Sequence, residues 1–80
     1  MSEYRSIACI DHERLEFAVL RRQRLRLRFV DESGIEQDLT VLPTDVATRN
    51  GAEWLNYRVE SGPEQVLRLD RILRFVPAEP

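Results

Sequence analysis

Arg24-Leu25-Arg26-Leu27-Arg28-Phe29 alternates basic and apolar residues without a break. A period of two belongs to a strand with one face buried and the other in water. Leu25, Leu27 and Phe29 therefore face a core, and Arg24, Arg26 and Arg28 face solvent. Immediately downstream, Asp31-Glu32-Ser33-Gly34 reads as a turn, with Gly34 supplying the positive φ that hairpin loops need. Residues 35–42 then bring Glu36 and Asp38 back past the arginines, which offers cross-strand ion pairs.

Further along, Pro43-Thr44-Asp45-Val46 reads as the end of that strand and allows one turn of helix. Arg49-Asn50-Gly51 is a second loop signal. Residues 52–60, with Trp54, Tyr57 and Val59, carry aromatic and β-branched strand formers. Ser61-Gly62-Pro63 is a turn, residues 65–70 alternate again, and residues 72–76 make a last strand before Pro77 and Pro80. Short strands at this spacing predict a mostly β fold, a small barrel of about five to six antiparallel strands. The expected core is Leu27, Phe29, Leu39, Trp54, Leu55, Leu67, Leu69 and Ile72.

Upstream of the alternating strand lies the one segment with helical spacing. Ser6-Ile7-Ala8-Cys9-Ile10 is apolar and β-permissive, and reads as a strand or extended arm. Asp11 reads as an N-cap for a helix from His12 to about Leu20. On that helix Leu15, Ala18 and Val19 share an apolar face, opposite Glu13 and Glu16. Phe17 and Leu20 fall near the acids. They are either covered by the N-terminal arm or exposed as a mixed apolar and acidic patch.

Eighty residues are too few to divide into two cores, so residues 1–80 read as one domain with an ordered part at about 4–76. Charged residues make up 32% of the chain but the net charge is only −2, so the placement of charge matters more than its sum. All twelve basic residues are arginine. There is no apolar signal-like start and no run near the ~20 residues of a membrane span, so the expectation is a cytoplasmic chain and no membrane partner. The single Cys9 excludes an internal disulfide and reads as buried packing.

Neither a phosphate-binding glycine loop nor a metal-ligand spacing is present, so the residues argue against an enzyme and name no cofactor and no metal. Two binding classes remain. The first uses Arg24, Arg26 and Arg28 as an RNA platform, with Trp54 or Tyr57 stacking bases. The acids of the next strand and a pI of about 5.4 weigh against it. The second is a protein-binding module whose acids, Asp11, Glu13 and Glu16, meet a basic surface.

The chain also resembles the Rof family, the Rho-binding antiterminators of bacteria. The resemblance rests on Tyr4, Ile7, Cys9, Asp11, Glu13, Leu15, Glu16 and Ala18 at the start, then on Leu25 and Leu27. It continues through Thr44-Asp45-Val46, Arg49, Glu53-Trp54-Leu55, Leu67-Arg68-Leu69-Asp70-Arg71-Ile72 and Phe75. It spans residues 4–76 without large gaps. Ser6 replaces a common proline, His12 stands where an aromatic residue is frequent, and several arginines lie beyond the acidic stretch. The resemblance implies a small Sm-like or SH3-like barrel with an N-terminal helix. It implies a protein that binds the N-terminal, RNA-binding part of the Rho helicase, blocks its primary RNA sites and inhibits Rho-dependent termination; the chain itself is expected to be a monomer. Matching positions make Asp11, Glu13 and Glu16 the partner-binding residues. Tyr4 and Cys9 neighbour them, Cys9 in a structural role; Phe17, if exposed, adds an apolar anchor to the partner-binding surface.

Overall fold

The alternating stretch forms the strand around which the sheet is built. The computed structural model describes residues 7–60 and 62–78. Tyr4, Ser6, Ser61 and Pro80 lie outside them. Helix α1 (Cys9–Arg21) is followed by β1 (Leu25–Val30), β2 (Glu36–Arg49), β3 (Ala52–Arg58) and β4 (Glu64–Arg68). A 3₁₀ turn at Leu69–Arg71 then leads into β5 (Ile72–Pro77). The strands form one sheet in the order β4-β3-β2-β1-β5, every pair antiparallel. This is the mostly β architecture with an N-terminal helix that the sequence predicts, a strongly bent sheet forming an open barrel.

β1 alternates as its sequence does: Leu25, Leu27 and Phe29 are buried, and Arg26 and Arg28 are exposed. Leu27 lies between Leu39 of β2 and Phe75 of β5. The arginines pair diagonally across the outer face, Arg28 with Glu36 at 3.0 Å and Arg26 with Asp38 at 3.5 Å.

β2 is the element that bends the sheet. Residues 36–41 pair with β1 and residues 42–49 with β3. The predicted break at Pro43 is absent, and no helical turn forms there. The register with β3 slips between Pro43 and Asp45, so Thr44 is the extra residue of a bulge. A bulge tolerates the missing proline N–H and turns the strand without ending it. The Thr44 hydroxyl meets Glu64 Oε1 of β4 at 2.5 Å. β2 and β3 are joined by Asn50-Gly51 alone, both at positive φ (52° and 75°), the geometry of a type I′ hairpin turn.

The β1–β2 turn is organised by Asp31. Its Oδ1 accepts the backbone N–H groups of Ser33 and Ile35, and its Oδ2 accepts Gln37 Nε2, all at 2.9–3.0 Å. The Gln37 bond first and then the Ile35 amide, with lesser help from the Ser33 amide and the Arg71 charge, hold the carboxyl below the ordinary aspartate value of 3.8 against the opposing effect of desolvation. A lowered folded-state pKa gives stability that is complete above the unfolded value and is lost as pH falls through the folded one. The Ser33 and Ile35 amide shifts are therefore expected to titrate with a midpoint below pH 3.8. Nuclear magnetic resonance over pH 2–7 reads this directly. Loss of both shifts above pH 5 would count against the arrangement.

The core joins both parts of the sheet to one face of α1. Leu15, Leu27, Leu55 and Leu69 are fully buried, and Ala18 of the helix is 5% exposed. Phe29 and Leu67 of the predicted core are buried, while Leu39 and Ile72 are only partly so and pack against it. Trp54 differs: it is partly exposed and stands outside this cluster. Its strand alternates Leu55 and Tyr57 inward, which turns Trp54 and Asn56 the other way.

Helix α1 begins earlier than its sequence suggests. Cys9 and Ile10 are its first residues, not part of a strand, and Ala8 is the N-cap. The Ala8 carbonyl accepts from Asp11 and His12 N–H at 3.0 Å each. Asp11 is thus in the first turn, where its charge suits the helix dipole, and makes no cap bond. At the other end Arg22 takes a left-handed φ of 53°, and the N–H groups of Gln23 and Arg22 close on the carbonyls of Ala18 and Val19. That is a Schellman ending without its usual glycine.

Candidate functional site

With Leu15 and Ala18 locked inward, the opposite side of α1 faces outward. Ile10 is 67% exposed, Phe17 55% and Leu20 78%. Glu13 and Glu16 are exposed beside them. Ile10, Glu13, Phe17 and Leu20 follow at steps of three, four and three residues, so they form one stripe along the helix. Of the two placements open to Phe17 and Leu20, the exposed one is found.

The acids differ in how far they are already engaged. Asp11 accepts from Arg14 at 3.3 Å. Glu16 meets His12 Nδ1 at 2.9 Å, and the other ring nitrogen, Nε2, meets Glu53 of β3 at 2.5 Å. Both contacts are donated together only by the doubly protonated ring. His12 thus links Glu16 on the helix to Glu53 on β3. Glu13 has no ionic partner among the described residues, and it stands within the apolar stripe. Arg21 lies over the Phe17 ring at 5.7 Å, and Arg14 over that of Phe75 at 4.6 Å.

The structure places Glu13, Glu16 and Phe17 on the outer side of α1, whereas Asp11, expected as the N-cap, stands within the first turn on the side of Leu15 and Ala18. Ile10 belongs with the outer group and was hidden by its assignment to a strand. Read as helical, it stands seven residues before Phe17, two turns away on the same face. Cys9 is a correction: it is exposed at the helix start, not buried packing, because the helix begins on it. Tyr4 lies outside the described residues.

The arginine ladder is a separate surface. Arg26 and Arg28 are exposed on β1 and paired with Asp38 and Glu36, and Arg24 is exposed just before the strand. Arg74 of β5 stands directly across from Arg28. A shallow hollow of about 240 Å³ runs between Arg26, Arg28, Asp38 and Arg74. The aromatic residues proposed to accompany this ladder do not line that hollow. Trp54 and Tyr57 line a larger cleft, about 470 Å³, formed by the β1–β2 turn, β3, β4 and Arg71. Burial pushes the Tyr57 phenol above its ordinary value of 10.0. Among the described residues, no group of three His, Cys, Asp or Glu side chains could hold a metal ion. No described helix is long and apolar enough to cross a membrane.

Compared with known proteins, the chain matches no family model and no curated protein sequence.

Proposed function

We propose that the domain is a Rof-like inhibitor of the Rho helicase that acts by stoichiometric binding through the outer face of α1. The observation that carries this reading is the stripe itself. Glu13 stands among exposed Ile10, Phe17 and Leu20, with Glu16 at its flank, on a helix whose other face is fixed to the barrel; Asp11 stands off this stripe, in the first turn beside Arg14. Carboxylates so placed suit the basic residues of a site that holds RNA phosphates, and charge-assisted hydrogen bonds give them direction. The apolar side chains supply the anchor that charge alone lacks.

Competition tests the reading. The domain is titrated into purified Rho carrying a labelled pyrimidine-rich RNA at its primary sites. The expected result is release of RNA as the domain saturates Rho, weakened by added salt because the acids are exposed. RNA that stays bound at saturating domain, or a domain with no measurable affinity for Rho, overturns it.

A further inference from the structure

The 470 Å³ cleft takes no part in the α1 surface, and none of its lining comes from that helix. Its size is that of a small-ligand site. The floor is apolar, with Phe29 and Tyr57 packed at 6.2 Å between ring centroids and tilted by 58°. Trp54 lines it from the side and is held in place. Its indole N–H donates to the Arg49 carbonyl at 3.3 Å, and the Arg49 guanidinium lies 5.8 Å from the ring centroid. Arg49 itself does not line the cleft.

The polar rim offers both donors and acceptors. Gln65 and Ser33 are exposed there. Arg71 donates one of its N–H groups to the Asp31 carbonyl at 3.2 Å, which fixes the guanidinium at the rim and leaves further donors directed by its planar fork. Arg68 is committed to Asp70 at 2.6 Å. The lining carries two arginines, Arg68 and Arg71, and two acids, Asp31 and Glu32, so its formal charge is zero. Such a site is poor for a polyanion held by its phosphates. It suits a flat, uncharged ring with hydrogen-bonding edges.

We propose that this cleft binds one unpaired nucleobase, stacked on Trp54 and read along its edge by Gln65 and Arg71. Base–aromatic stacking tolerates any base, and the Arg49 guanidinium beside the same indole adds to it. The site stands independently of the helix surface and of the arginine ladder.

Trp54 is the only tryptophan, so its fluorescence reports on this cleft alone. The folded domain is titrated with adenosine and uridine monophosphates and, separately, with short single-stranded oligo-A and oligo-U, with excitation at the red edge of the indole band. Saturable quenching is expected. Quenching by mononucleotides as well as oligomers identifies a free base as sufficient, and quenching by oligomers alone identifies a strand. Gln65→Ala, at an exposed position, should raise the midpoint by up to roughly tenfold, the effect of one lost hydrogen bond. Arg71→Gln should raise it further. A salt increase from about 50 to 200 mM should change the midpoint by less than about tenfold, against the roughly 10³-fold or greater loss of a binder that grips six or more phosphates. The proposal is overturned by three results. These are absence of saturable quenching with every probe, midpoints unchanged in both variants while circular dichroism shows them folded, or the steep salt dependence of phosphate binding.

Discussion

Replacing Leu27 with alanine is expected to leave the domain largely unfolded at 37 °C. Leu27 is wholly buried at the centre of β1, flanked by Leu39 on one neighbouring strand and Phe75 on the other. Truncating such a leucine costs about 2–5 kcal/mol, from lost transfer energy and from the cavity left behind. A domain of this size has only about 3–5 kcal/mol in total. The middle strand has little freedom to close the cavity, because hydrogen bonds on both edges hold it. A urea titration followed by circular dichroism measures the loss. A variant less than about 1 kcal/mol weaker than the parent would show that the β1 face is not the centre of the core.

The second large effect is on binding. Changing Asp11, Glu13 and Glu16 together to lysine is expected to lower affinity for Rho by at least about 100-fold, because close charge pairs across an interface are worth more than 1 kcal/mol each. The fold should survive. Asp11 and Glu16 contribute only exposed or half-exposed pairs to the isolated domain, and such pairs stabilise little. Glu13 should dominate, since Asp11 and Glu16 must first share or give up Arg14 and His12. Isothermal titration of each single variant separates the three. Undiminished affinity in the triple variant, with a normal melting curve, would remove the helix from the binding surface.

How much of this could be read in the residues depends on whether a local pattern or a tertiary contact decides the outcome. Residues 24–29 declare their strand because both faces are written in strict alternation, and the Gly34 and Asn50-Gly51 turns follow from backbone preferences local to them. The start of α1 could not be read in the same way. Ile7, Ala8, Cys9 and Ile10 suit a strand as well as a helix, and the Ala8 carbonyl that starts the helix carries no side-chain signal. Pro43 misled for a related reason: proline ends most strands, but a bulge at Thr44 lets β2 pass through it. Trp54 shows the limit for the site. Aromatic content marked β3 as a strand but did not say which face the indole takes, and the cleft is made by separate stretches of chain at 29–33, 54–57 and 65–71. The acids of α1 were visible from composition, whereas the stripe needed the true helix start to bring Ile10 into line.

The continuity of β2 has a consequence for how the molecule opens. The same 14 residues hydrogen-bond to β1 along their first part and to β3 along their second. Neither hairpin can separate without stripping one end of a strand that the other needs. Subglobal opening should therefore be confined to the outer strands, β4 and β5, each bonded along one edge only. Amides at the centres of β1, β2 and β3 should exchange with solvent through a single event, the unfolding of the whole domain, and at one shared rate in the limit of fast exchange.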